Sequence, residues 1–101
     1  MIHHDTLQAF LKDGAPLLKK GPVALVFAED EVELDATIRH NLGAGFLHVI
    51  VFAMPEFEVA DDVASDIVRV SYNMLAPAAL ETAMNAVMKA TGDIWIYYCF
   101  N

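Results

Sequence analysis

Acidic side chains are concentrated in one short stretch of the sequence, AEDEVELD (28–35). Five carboxylates occupy the seven positions from Glu29 to Asp35. The stretch follows VALVFA (23–28), an apolar run of strand length, and opens a helical repeat of leucine and isoleucine. Acids in the first turn of a helix complement its macrodipole and stay solvated, which is one interpretation. The other is that Glu29 and Asp30, at a strand tip, contact hydroxyl or amino groups of a ligand.

Two kinds of phosphate chemistry are excluded at this strand tip. No glycine lies between the strand and the following helix, so the sequence lacks a P-loop or dinucleotide phosphate cradle. A phosphoacceptor signalling domain would need an acceptor aspartate at the end of a later strand. The later predicted strands end in VSYN and CFN, so that function is excluded as well.

The remaining candidate groups favour structural roles. Glu56 and Glu58, in AMPEFE, are interpreted first as solvated loop acids. Cys99 lies in an apolar run with no basic neighbour to lower its thiol pKa, which favours an inert buried cysteine over a nucleophile. The histidines lack the spacing of a zinc site; they are His3, His4, His40 and His48.

The elements that would position these groups alternate along the chain. Predicted strands cover residues 23–28, 46–53, 67–72 and 94–100. Predicted helices cover roughly residues 31–42 and the segment from Pro77, in the first turn, to Gly92, just past the end. PEFEVADDVASD is either a short helix or an acidic loop. Strands that alternate with helices imply right-handed crossovers, so the prediction is an α/β fold: a Rossmann-like three-layer α/β/α arrangement around a four-stranded, mainly parallel sheet.

Two segments are expected along the chain. Residues 1–21 form an N-terminal helix, with Asp5 as its N-cap and Gly14 as its end, followed by a linker. Residues 22–101 form the α/β domain.

Composition narrows the possible partners. The formal charge of −8 opposes binding to a phosphate backbone, so nucleic acid is not expected. A single cysteine, no apolar run of membrane-spanning length and no signal peptide predict a cytoplasmic protein without a membrane span. The hydrophobic fraction of 56% predicts either a sheet covered on both faces or a face that meets more polypeptide, from a missing segment or a second copy.

Two longer stretches carry a resemblance to a known family. One is VALVFAEDEVELDATIRHNLGAGFLHVIVFA (23–53), with its asparagine-leucine-x-x-glycine helix end. The other is AMNAVMKATGDIWIYY (83–98). Together they resemble the amino-terminal half of the nucleotide-sugar-dependent glycosyltransferases of family 2, which have the GT-A fold. The second stretch keeps the family's relative places of Asn85, Ala90, Gly92 and Asp93.

The resemblance implies a nucleotide-diphospho-sugar site across the strand ends. It places the nucleotide-binding groups at the residues Ala28, Glu29, Asp30, Glu31, Glu56 and Asn85. It also implies a Mg²⁺ or Mn²⁺ ion, because two phosphates require a hard cation with oxygen ligands. The sequence departs from the family here: Phe100 or Asn101 stands where the first metal-binding aspartate is usual, and the second acid of the Asp-x-Asp motif and the catalytic half are absent.

Two functions are therefore expected from the sequence. The first is a glycosyltransferase-like nucleotide-sugar-binding domain, incomplete at its C-terminus or inactive as a lone chain. The second is a small non-catalytic α/β interaction module that forms a homodimer through the edge of its last strand.

Overall fold

The structure is a computed structural model that describes residues 2–91 and 96–100. Its strands are β1 (Ile2–His4), β2 (Val23–Phe27), β3 (His48–Ala53), β4 (Val68–Ser71) and β5 (Ile96–Phe100). Its helices are α1 (Leu7–Asp13), α2 (Leu34–Gly43), α3 (Asp61–Ala64) and α4 (Ala79–Ala90), with a 3₁₀ helix at Ala15–Lys19. The α/β class predicted from the sequence is confirmed.

The sheet has the strand order β1-β4-β3-β2-β5, and every pairing within the described residues is parallel. β2 is central to the functional argument because it pairs on both sides: Val23 lies opposite His48 of β3 and opposite Ile96 of β5. The chain moves from β2 through β3 to β4 in one direction across the sheet, and then returns past β2 to place β5 on its other side.

The prediction of four strands is wrong, because Ile2–His4 adds a fifth strand beside β4. Its register runs from Ile2 opposite Val68 to His4 opposite Val70. Three residues with two histidines carry no apolar alternation, so the sequence gives no strand signal there. The strand state comes from backbone pairing with β4, and His3 Nε2 also lies 2.8 Å from the Ser71 hydroxyl.

Helices cover both faces of the sheet, and each face has its own core. α1, the 3₁₀ helix and α4 pack on one face, here called the α4 face, whose core includes Leu7, Phe10, Leu18, Leu25, Phe27, Ile50, Phe52, Ala83 and Val87. α2 and α3 pack on the other, the α2 face, whose core includes Ala24, Val26, Leu34, Ile38, Val49, Val51 and Val63. A uniform crossover hand requires this switch of face when the chain reverses direction. The N-terminal residues 2–19 share the sheet and the core of the rest.

Three helix starts differ from prediction. Thr6, not Asp5, caps α1, because its hydroxyl accepts from the Ala9 N–H at 3.0 Å. α2 begins only at Leu34, since the preceding residues form a turn that ends in a left-handed Glu33 (φ 59°). α4 begins at Ala79 after a left-handed Ala78 (φ 57°), so the proline at position 77 precedes the helix.

The acidic segment after β3 contains both predicted alternatives, a loop and then the short helix α3. Within residues 2–91 and 96–100, no helix has the length and apolar character needed to cross a membrane.

Candidate functional site

The carboxyl edge of the sheet is divided at the boundary between β2 and β5. Phe27 lies opposite Phe100, so the two strands end at the same level. At this edge the chain that leaves β2 turns to α2 on one face, whereas the chain from α4, on the other face, enters β5 at the opposite edge. The strand order reverses at β2, and ligands of open α/β sheets bind beside the carboxyl ends of the strands at such a reversal.

The acidic loop after β2 is tied to the segment that follows β3. The Glu31 carboxylate accepts a hydrogen bond from the Glu58 N–H, and Asp35 Oδ1 accepts from the Ala60 N–H at 2.9 Å. Asp30 Oδ1 accepts from the Val32 N–H at 3.0 Å and closes the turn before α2. Part of the acidic cluster therefore has a structural role that neither sequence interpretation anticipated.

A buried arginine hydrogen-bonds to the backbone of the same loop junction. Arg69, in the middle of β4, is only 7% exposed and projects from the α2 face. Its Nη2 donates to the Met54 carbonyl at 2.9 Å and to the Phe57 carbonyl. Burial lowers the pKa of Arg69, and the nearby charge of Glu31 acts in the opposite direction. The guanidinium thus fixes the backbone of the loop after β3.

The structure brings together five of the predicted nucleotide-binding positions. Ala28 is buried and donates its N–H to the Phe52 carbonyl at 2.9 Å, and Glu29, Asp30 and Glu31 follow it as exposed side chains. Exposed Glu56 lies in the loop after β3, which is the loop joined to Glu31.

The sixth predicted nucleotide-binding residue, Asn85, is not part of this junction, and the predicted metal position is not described. Asn85 lies on the exposed side of α4, on the α4 face of the sheet. Asn101 lies outside the described residues.

A groove of about 300 Å³ runs between α2 and the edge strand β5. The α2 side contributes Glu33, His40 and Asn41, and the β5 side contributes Tyr97, Cys99 and Phe100. The groove follows the length of α2, from the carboxyl edge of the sheet near Glu33 to the last helical turn at His40. None of the residues that line this groove is among the predicted ligand-binding residues: from the sequence, Cys99 is a candidate only as a nucleophile, and Phe100 only occupies the family's metal-binding position, where it has no donor atom.

Asn41 is the buried polar residue of the groove. It is 2% exposed, and its Nδ2 donates to the Thr37 carbonyl at 2.9 Å and contacts Cys99 Sγ at 3.5 Å. Its Oδ1 has no hydrogen-bond partner among the described residues. The sequence held a signal for this: Asn41 follows Leu34 and Ile38 at helical spacing, so a polar group occupies a core-facing position.

A divalent cation finds no ready ligand set in the described part of the chain. Residues 2–91 and 96–100 contain no group of three His, Cys, Asp or Glu placed to hold a metal ion. Phe100 has no donor atom, and Asn101 is not described. The Mg²⁺ or Mn²⁺ ion expected from the resemblance stays a prediction.

Comparison with known proteins gives no relative: no family model, no curated protein and no solved structure matches the chain.

Proposed function

We propose that the chain binds a nucleoside diphosphate sugar at the carboxyl edge of its sheet, as the nucleotide-binding part of a GT-A-type glycosyltransferase of family 2. The observation that carries the proposal is the strand order. β4-β3-β2-β5 is a parallel series that reverses at β2, the arrangement of a Rossmann-like three-layer fold, and ligands of such folds bind at the reversal.

The side chains at the junction supply acceptors for a ribose and a base. Glu29 and Asp30 are exposed at the tip of β2, where carboxylates can accept from ribose hydroxyls or base N–H groups. Glu31 is engaged with the Glu58 N–H, so its role is to hold the second loop beside the first. Glu56 is exposed on that second loop.

The diphosphate is the part of the ligand that these acids do not favour. A divalent cation, when bound, would neutralise the two phosphates and stabilise the leaving group. The proposal is therefore binding of the nucleotide sugar, and it assigns no transfer step to the described residues.

Isothermal titration with UDP, GDP and their sugars, each with Mn²⁺ or Mg²⁺, tests the proposal. We expect saturable heat with one nucleotide series, and a loss of affinity of about fivefold in Glu29→Gln or Glu56→Gln, since each loses a charged acceptor. Glu81→Gln, an exposed glutamate of α4, is the matched control and should leave the affinity unchanged. Absence of both heat and thermal stabilisation with every ligand would contradict the proposal.

A second candidate function is self-association, and the position of β5 favours it. β5 forms one edge of the sheet, and Tyr97, Tyr98 and Phe100 are each about half exposed. An aromatic edge strand with an unpaired backbone is a template for pairing with another strand. Sedimentation velocity over a range of concentrations should show a dimer; a monomer at the highest concentration would remove this candidate.

A further inference from the structure

We propose that the groove between α2 and β5 binds a small organic ammonium ion, that is, a protonated amine. The groove shares no lining residue with the junction of loops proposed to hold the nucleotide sugar, and its ligand class follows from the side chains that line it.

The charge of the groove selects for a cation. Glu33 contributes a carboxylate at one end, and no lysine or arginine lines the groove. The arginine of α2, Arg39, is held elsewhere by a two-pronged contact with Asp62, at 2.7 and 2.8 Å. A phosphate or carboxylate ligand would meet Glu33 without any compensating positive charge, and the chain as a whole carries −8.

The direction of α2 strengthens this preference. His40 and Asn41 lie in the last turns of the helix, where the unpaired carbonyls carry a partial negative charge. A positively charged group at the His40 end of the groove gains from this partial charge. One at the Glu33 end gains from the carboxylate, which lies at the positive end of the same dipole.

One aromatic ring forms the β5 wall. Tyr97 is 51% exposed, so its ring is not used up by the core. Phe100 also lines the groove, but its ring contacts Phe27 and Tyr98 on the α4 face. Tyr97 stacks on Phe46 with ring centroids 5.6 Å apart and an interplanar angle of 23°, which fixes its orientation. Rings in this setting attract ammonium groups through their quadrupole.

Asn41 explains why the cation should carry N–H donors. Its Oδ1 is a buried acceptor without a donor among the described residues, in a side chain that lines the groove, so a ligand N–H can pair with it once the side chain turns toward the ligand. A primary ammonium ion offers three N–H donors, whereas a quaternary ammonium ion offers none. A primary amine is therefore the preferred ligand.

The probe is cyclohexylammonium, with neutral cyclohexanol as its counterpart of similar size, in ¹H–¹⁵N spectra of the full chain. We expect saturable shifts at the amides of α2 and β5 with the amine, and an affinity at least about tenfold weaker for the alcohol. Added salt should weaken binding of the amine, because the groove is open to solvent.

Two pairs of variants distinguish binding in the groove from general attraction of a cation to the acidic surface. Tyr97→Leu should weaken binding of the amine by about threefold or more. Tyr98→Leu should leave the affinity unchanged, because this tyrosine lies on the opposite face of the same strand. Glu33→Gln should weaken binding of the amine by about fivefold, whereas Glu81→Gln should leave it unchanged.

Three results would overturn the inference. They are shifts spread over the whole surface without saturation, equal affinities for amine and alcohol, or equal effects of the two members of either variant pair. A nucleotide that binds at the loop junction while the amine fails in the groove would refute this inference and leave the proposed function standing. Binding of the amine in the groove while no nucleotide binds at the loop junction would support this inference and refute the proposed function.

Discussion

Two polar clusters lie on the α2 face, and they use their side chains in opposite ways. At the loop junction, Arg69, Glu31 and Asp35 all hydrogen-bond to backbone groups of residues 54–60. In the groove beside β5, Asn41 Oδ1 has no hydrogen-bond partner within residues 2–91 and 96–100. The first cluster fixes a loop, with only Arg69 Nε left without a partner among the described residues, whereas in the second the amide oxygen itself is left without one.

The difference shows that acidic character alone does not identify a binding residue. Glu31 and Asp35 belong to the same short acidic stretch as Glu29, yet they serve the backbone of another loop. Groups that satisfy each other rigidify a fold, and a buried group that is left unpaired needs an explanation, of which a role in binding is one.

The largest expected effect comes from removing the arginine of the loop junction. Arg69→Met should lower the free energy of unfolding by about 2 kcal/mol, because the part-buried carbonyls of Met54 and Phe57 lose their charged donor. Urea unfolding followed by circular dichroism measures the change. Amide hydrogen exchange should rise in residues 56–60 before it rises in β3.

Arg39→Met is the matched control for that variant. Arg39 is an exposed arginine whose contact with Asp62 lies at the surface, so its loss should move the urea midpoint far less. Equal effects of the two variants would mean that Arg69 is not an anchor, and the contrast between the two clusters would fail.

A smaller effect of opposite sign is expected in the groove. Asn41→Leu should raise the free energy of unfolding by about 1 kcal/mol, because an apolar group of similar size replaces a buried acceptor without a donor. Thermal and urea unfolding both report it. The same variant should weaken the binding of cyclohexylammonium, the usual exchange between stability and function. A destabilised Asn41→Leu would show that the oxygen has a partner in the folded chain.

The smallest expected effect concerns the surface pair beside the two clusters. The hydrogen bond from Arg39 holds the pKa of Asp62 below its ordinary value. A depressed carboxyl pKa contributes stability above the ordinary value of about 4, and that contribution is lost as the pH falls through the folded pKa. NMR titration of the Asp62 carboxyl measures it, and Arg39→Met should raise the pKa. No change in that variant would contradict the assigned cause.

Regular apolar runs were sufficient to predict most of the fold. β2 and β3 are buried along nearly their whole length, and their continuous hydrophobic sequences signalled strands covered on both faces. β1 could not be found in this way, because Ile2–His4 takes its strand conformation from a partner distant in sequence. The predicted helix starts were wrong for a local reason. Glu33 and Ala78 are left-handed, a conformation that a sequence indicates chiefly where glycine stands.

The candidate site was predicted only in part. The loops that carry Glu29 and Glu56 do meet at the carboxyl edge, as the parallel topology requires. The role of Arg69 was missed because a charged residue within a strand is ordinarily exposed. The groove was missed because its two walls, around Asn41 and Cys99, come from elements far apart in the chain.

The position of β5 beside β2 also sets when the groove can exist during folding. β2, α2, β3 and β4 are consecutive, so their contacts close short loops of chain, whereas the pairing of Val23 with Ile96 closes a long one. We therefore expect the β5 wall of the groove to form late in folding. A ligand held there favours the completed sheet over any intermediate in which the last strand is still undocked.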